Sequence, residues 1–299
     1  METIKIECPK IFDYNQCLAY FKRDENEVLF YVVDQEIYRA LYIDGNKILI
    51  RVSYEYHHLI VEILNDVVLS PSNIERLITF VEEWFDLATD LTSFYELGKN
   101  NQILAPLIEG LYGLRLIRIP DFFEAISWGI IGQQINLTFA YQLKRNFVEK
   151  YGEKIEYQAS SYYIHPSAEK VAQLNVEDLT ALKFSRRKAE YLIGIAKSIH
   201  AQMLTKEQLL KMDDEKEVEK TLVNMRGIGP WTAHYVMMRS LGIKNAYPIG
   251  DVGLQNALKT LLKLDNKPTQ AHMMELNESW EKWSSYATFY IWRAPYIGE

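Results

Sequence analysis

The residues best suited to chemistry lie between Leu222 and Leu258: Leu222-Val-Asn-Met-Arg-Gly-Ile-Gly-Pro-Trp-Thr-Ala-His-Tyr-Val and, after a short gap, Tyr247-Pro-Ile-Gly-Asp-Val-Gly-Leu. Gly227 and Gly229 flank one apolar residue, Ile228. Glycine reaches backbone conformations closed to residues with a Cβ, and it lets another surface come close. Pro230 and Thr232 suit the first turn of a helix. The amides at such a helix start point outward and can bind a phosphate. Asp251 follows, in a turn between helical segments. Each piece alone has a blander reading, since Gly-X-Gly is commonly a turn and a loop Asp commonly a cap. In this order and spacing they equip the chain for chemistry on a nucleic acid.

A helix, a tight hairpin and a second helix must hold these residues, and apolar helical periodicity stands on both sides of the glycines. From Leu87 onward the pattern predicts helix after helix, including Asn101–Gly110, Asp121–Tyr151 and a helix opened by Leu182-Lys-Phe-Ser-Arg-Arg-Lys that runs to Ala201. In the run Trp280–Trp292, Trp280, Trp283, Tyr286, Ala287, Tyr290 and Ile291 recur at helical spacing, a stripe that reads mostly as core. Gly129 and Gly132 interrupt an apolar helix, which implies close packing or a backbone brought near a ligand. Tyr162–Pro166 reads as a loop leading into a helix, and His165 has no Cys/His partners at metal-site spacing.

Residues 1–90 read differently. Val28–Val33, Ile37–Ile43, Lys47–Ser53 and Leu59–Leu64 are short β-rich runs separated by turn residues such as Asp44-Gly45-Asn46. Ile48, Ile50 and Val52 alternate with Leu49 and Arg51, as in a half-buried strand. Helices are expected at Asp13–Phe21 and after Ser70. No catalytic constellation appears here. The fold class is α+β: residues 1–90 form a small antiparallel sheet carrying helices, and residues 91–299 form an all-α region.

At 299 residues, 48% hydrophobic and 24% charged, the chain has the composition of a globular protein with room for large cores. A net charge of −7 argues against a nucleic-acid partner until its distribution is read. Residues 1–90 hold 8 of the 33 Lys and Arg but 17 of the 40 Asp and Glu, so the remainder is slightly positive. The start shows no secretory h-region, and no apolar run is long enough for a bilayer, so no membrane partner and a cytoplasmic location are expected. Cys8 and Cys17 are too few for an iron–sulfur cluster or a disulfide framework.

The hairpin, the following helix and the Asp at its distance resemble the signature of helix-hairpin-helix base-excision DNA glycosylases, the alkylpurine-removing branch above all. The resemblance runs from about Phe122 to the C-terminus and more faintly through the N-terminal part. It implies a TATA-binding-protein-like domain in residues 1–90, and two helical subdomains with the active-site cleft between them in 91–299. It implies a monofunctional glycosylase that flips an alkylated purine of 3-methyladenine or 7-methylguanine type out of double-stranded DNA and hydrolyses its N-glycosidic bond. A base that already carries positive charge leaves readily, so one carboxylate, Asp251, would suffice without a general acid.

Trp231 and Tyr235 lie four apart on one helix face. The resemblance places both, with Trp292 and more weakly Trp128, around the base, where aromatic faces hold a cation well. It assigns DNA contacts to Arg226, Gly227, Gly229, Thr232, Gln133 and Gln134. Gln134 falls at the intercalating wedge, where the similar bacterial enzyme has an apolar residue, a departure that bears on substrate preference. Trp231 occupies the position of the lysine nucleophile of bifunctional relatives, and an indole cannot form a Schiff base. Main-chain oxygens of Val223, Met225 and Ile228 would bind a structural Na or K ion, with no cofactor needed for catalysis. A monomer is expected. A non-catalytic helix-hairpin-helix DNA-binding protein and a glycosylase for oxidised or deaminated bases remain as alternatives.

Overall fold

The computed structural model describes residues 3–296. Five antiparallel strands, β1 (Thr3–Glu7), β2 (Phe30–Val33), β3 (Glu36–Ile43), β4 (Asn46–Glu55) and β5 (His58–Ile63), form one sheet in the order β1-β5-β4-β3-β2. Strands β2 to β5 join through two-residue turns, and Asp34-Gln35, Asp44-Gly45 and Tyr56-His57 all have positive φ. Such turns match the twist of paired strands. Asp13 caps the helix Tyr14–Phe21 through the Gln16 amide, and Ser70 caps Pro71–Trp84 through that of Asn73. Both helices stand where their cap residues announce them. β1 also alternates, Ile4 and Ile6 against Thr3, Lys5 and Glu7, and adds an edge strand to the four that the sequence predicts.

Ile48, Ile50 and Val52 face the main core as their alternation demands. Leu49, on the opposite face, is fully buried as well. The cause is a second sheet inside the region read as all helical. β6 (Glu153–Tyr157) and β7 (Ser160–Ile164) form a hairpin, and Ile164 packs with Ala40 and Leu49 under cover of Ile155, Tyr157 and Tyr162. The loop expected at Tyr162–Ile164 is therefore strand. Its turn, Gln158-Ala159, has both φ values positive but lacks the Asn or Gly that would mark it. His165 follows the strand and is buried against Phe123 and Phe147.

The expected helix Asp121–Tyr151 is two helices, Phe122–Ile131 and Leu137–Tyr151. Gly132 ends the first, Gln134 takes a positive φ, and Asn136 caps the second through the Phe139 amide. The helix Arg186–His200 and the C-terminal helix Ser284–Arg293 match their patterns, the latter after one short 3-10 turn, Glu281–Trp283. Phe94 meets Trp283, Tyr286 and Tyr290 of the C-terminal stripe, and Phe289 on the same helix meets Tyr20 at 4.8 Å between centroids. One continuous buried cluster runs from Ile6 to Ile291.

Candidate active site

The hairpin joins the helix Glu215–Val223 to the helix Pro230–Val236. Ile228 is buried between them and donates its amide to the Met225 carbonyl at 3.0 Å. Gly227 takes φ +102°, and a Cβ there would lie 2.4 Å from Cγ of Tyr191. Gly229 is exposed, extended and open: nothing lies within 4 Å of where its Cβ would be. Among the described hydrogen bonds none is donated by the amides of Gly227 or Gly229. Arg226 is exposed and pairs with Glu190 at 2.9 Å.

Two of the expected DNA contacts turn inward instead. Gln133 donates its amide to the Gly227 carbonyl at 2.9 Å and to the Thr232 hydroxyl at 3.1 Å, bracing the hairpin from behind. The Thr232 side chain is 1% exposed, and its methyl sits against Gly129, where a Cβ would approach it to 2.7 Å. Gly129 is thus a packing glycine at a helix crossing. Gln134 stays exposed at the loop tip.

The helix that follows the hairpin runs on into a π turn, Met237–Leu241, which sequence periodicity did not reveal. His234 on this helix accepts the Tyr247 amide at Nδ1, 3.0 Å away, and so anchors the returning loop. Burial pushes its imidazole below the ordinary value, against the pull of Glu219, which keeps Nδ1 able to accept. Ile249 and Asp251 then donate their amides to the carbonyls of Tyr247 and Pro248, closing the turn that presents Asp251.

Asp251 caps the helix Val252–Leu261, with Oδ1 accepting the Leu254 amide at 2.7 Å. Two indoles complete its setting. Trp231 Nε1 donates to Oδ2 at 3.0 Å and Trp292 Nε1 donates to Oδ1 at 2.9 Å. A carboxylate only accepts, so three N–H donors suit it and fix its plane. Tyr235 stands between the indoles, its ring centroid 5.7 Å from that of Trp231 and 6.4 Å from that of Trp292. Asp251, Trp231 and Trp292 are all half-buried, so the group is reachable from solvent. Helical spacing puts Trp231 and Tyr235 on one face, and the family resemblance adds Trp292; that two of the three hold the carboxylate was not legible in the sequence.

Two adjoining segments of the chain match known families. Residues 1–126 match the N-terminal domain of 8-oxoguanine DNA glycosylase, and residues 128–282 match the HhH-GPD superfamily of base excision DNA repair proteins. The chain belongs to that superfamily. It is 43% identical over 297 residues to the DNA-3-methyladenine glycosylase of Bacillus subtilis, covering 99% of this chain and 98% of that one. It is 30% identical over 180 residues to DNA-3-methyladenine glycosylase 2 of Escherichia coli, 60% of each. The 3-methyladenine DNA-glycosylase structure from Archaeoglobus fulgidus superposes with a TM-score of 0.83 at 25% identity, covering 98% of this chain and 97% of that one.

In this member of the superfamily a narrow cavity opens beside Tyr235 and Trp128, where the N-terminal sheet region meets the helices. Arg23, Glu27, Lys144 and Arg239 also line it. Trp128 packs on Tyr141 at 4.8 Å between centroids, with the Lys144 ammonium 5.4 Å from its own centroid. Lys144 donates to both oxygens of Glu27, at 2.7 and 2.9 Å. Burial would raise the Glu27 carboxyl, but Lys144 and the Leu29 amide outweigh it and hold the group at about 2. Arg39 pairs with Glu124 at 2.7 Å, both side chains buried. These pairs tie residues before position 40 to the helices after 120, and no local motif signals them.

Proposed function

We propose that the protein is a monofunctional DNA glycosylase that hydrolyses the N-glycosidic bond of alkylated purines, of the 3-methyladenine and 7-methylguanine type, in duplex DNA, as the first step of base-excision repair. The observation that carries this reading is the Asp251 carboxylate gripped by two indoles and a helix-start amide at the rim of an aromatic cluster. Family membership and the names of the relatives point the same way.

The hairpin offers the free amides of Gly227 and Gly229 to a phosphate, and the carbonyls of Val223 and Ile228, which accept no described hydrogen bond, suit a monovalent cation together with that of Met225. Such a cation would supply positive charge to the same phosphate. Gln134 enters the base stack in this reading, which its exposure at the loop tip and its positive φ support. The flipped base stacks among Trp231, Tyr235, Trp292 and Trp128, whose electron-rich faces favour a cationic base. As the bond to the base lengthens, positive charge grows on the sugar, and Asp251 stabilises it and orients the attacking water. The indole donors hold the carboxylate in place, so little reorganisation is needed when that charge appears. Trp231 and Trp292 are in this sense positioning residues as well as pocket walls. The enzyme acts as a monomer in the cytoplasm. Among the described residues no helix is long and apolar enough to cross a membrane.

Purified protein, duplex DNA treated with a methylating agent, and mass spectrometry of the released bases test the reading. Release of methylated purines, with the strand intact until heat or base is applied and no borohydride-trapped adduct, is the expected result. A trapped adduct would mean another amine attacks the sugar, and the monofunctional class would fall. No release of any altered base would leave only a DNA-binding role.

A further inference from the structure

Asp251 stands at the end of a loop that begins near Ile243, and the two helices that supply its indoles also pin that loop. The C-terminal helix carries Trp292, and at its start the Ser285 hydroxyl donates to the Ile243 carbonyl at 2.6 Å and the Ser285 amide to that of Lys244 at 2.8 Å. The helix Pro230–Val236 carries Trp231, and one turn further on His234 Nδ1 accepts the Tyr247 amide at 3.0 Å. Beyond Tyr247 the described backbone hydrogen bonds stay inside the turn: Ile249 donates to the Tyr247 carbonyl and Asp251 to that of Pro248. Among these bonds His234 is therefore the last backbone tie to another element before the carboxylate.

A backbone N–H only donates, so Nδ1 is the unprotonated nitrogen of the ring. The proton of the neutral ring sits on Nε2, which faces Glu219 Oε1 at 3.4 Å. Glu219, on the helix Glu215–Val223, is the charged group that acts on the ring. The charged residues of the other elements packed on this helix are engaged elsewhere. Glu124 pairs with Arg39, Arg239 bonds to Ile117 and Tyr235, and Lys244 lies over the Trp283 ring at 5.0 Å. A proton added at Nδ1 would set donor against donor at the Tyr247 amide, while Nε2 stayed with Glu219.

We infer that His234 is a positioning residue: the neutral ring pins Tyr247, and with it the turn that sets Asp251 against Trp231 and Trp292, and the protonated ring lets go of that turn. This rests on the glycosylase reading above and deepens it. Burial and Glu219 act on the ring in opposite senses and burial prevails, so the tie is intact at neutral pH and opens on acidification below the ordinary imidazole value of 6.5.

Single-turnover release of 7-methylguanine from methylated duplex DNA, at saturating enzyme, is compared for wild type, His234→Leu and His234→Asn between about pH 8 and about pH 5. Binding to an abasic-site analogue is measured beside it. At neutral pH His234→Leu is expected to lose about tenfold in rate, the scale of one hydrogen bond, with binding retained. His234→Asn sets an amide oxygen close to where Nδ1 stood and does not titrate, so it is expected to recover most of that loss. On acidification below 6.5 the wild-type rate should drop toward the His234→Leu level relative to that of His234→Asn. Every other titrating group is common to the two proteins and cancels in their ratio. A ratio of wild type to His234→Asn that stays constant across this range overturns the inference, whether or not His234→Leu folds. So does a His234→Leu protein that keeps the wild-type rate, or one whose loss of rate is matched by an equal loss of binding. These outcomes leave the glycosylase reading standing. Failure of the wild type to release the base at any pH would overturn both.

Discussion

Asp251 is held by its neighbours at every polar contact, and that arrangement separates its charge from its shape as causes of rate. Asp251→Asn keeps the size and one acceptor oxygen, but its amide NH2 must face one of the N–H donors now bonded to the carboxylate. We expect base excision to fall by about two to four orders of magnitude, the range for a positioned acid–base or electrostatic group. Binding to DNA with an uncharged abasic-site analogue should persist. Single-turnover excision by the variant at near the wild-type rate would place the chemistry on another residue. Trp292→Phe offers a milder companion: it removes one donor from Oδ1 while keeping an aromatic wall. A loss of about tenfold in rate, with base stacking retained, fits the loss of one hydrogen bond to a charged group.

At the scale of the element, the hairpin's two glycines have different duties. Gly227 is bound by conformation and by Tyr191, whereas Gly229 is extended with open space before it. Gly227→Ala should therefore lower stability by about 2–4 kcal/mol, combining left-handed strain with overpacking. Gly229→Ala should leave the denaturant midpoint near that of wild type and weaken binding to damaged and undamaged DNA alike, since its new methyl stands where a phosphate would approach. Denaturant unfolding beside binding at matched salt tells the two apart. Unchanged affinity in the Gly229 variant would remove the hairpin from the DNA interface.

At the scale of the whole molecule, acid should loosen the fold through His165. Burial between Phe123 and Phe147 pushes its imidazole from 6.5 down to about 4, and Nδ1 finds no hydrogen-bond partner. Above the ordinary value the ring is neutral folded and unfolded alike. Between 6.5 and about 4 the unfolded chain takes up a proton that the folded chain refuses, so stability falls as pH drops through that window. The whole effect is about 3 kcal/mol at about 1.4 kcal/mol per unit. His165→Phe should flatten the dependence of the unfolding midpoint on pH across this range while leaving catalysis untouched. Parallel pH profiles for the variant and wild type would show that His165 protonates freely in the native state.

Local signals in the chain were enough for the hairpin, the cap residues Asp13 and Ser70, the hairpin-connected strands β2–β5, the C-terminal aromatic stripe and the position of Asp251. Each of these depends on neighbours within a turn or two, where backbone geometry and apolar period act directly. The β6–β7 hairpin escaped because its turn lacks the usual residues and its strands gain their burial from Ala40 and Leu49, more than a hundred positions away. Gln133 and Thr232 looked like surface donors, but only packing of the helix Phe122–Ile131 against the helix Pro230–Val236 shows that they satisfy each other. The indole grip on Asp251 likewise joins residues from distant segments. A hydrogen bond's partner is set by where chains meet in space, and neither composition nor period carries that information.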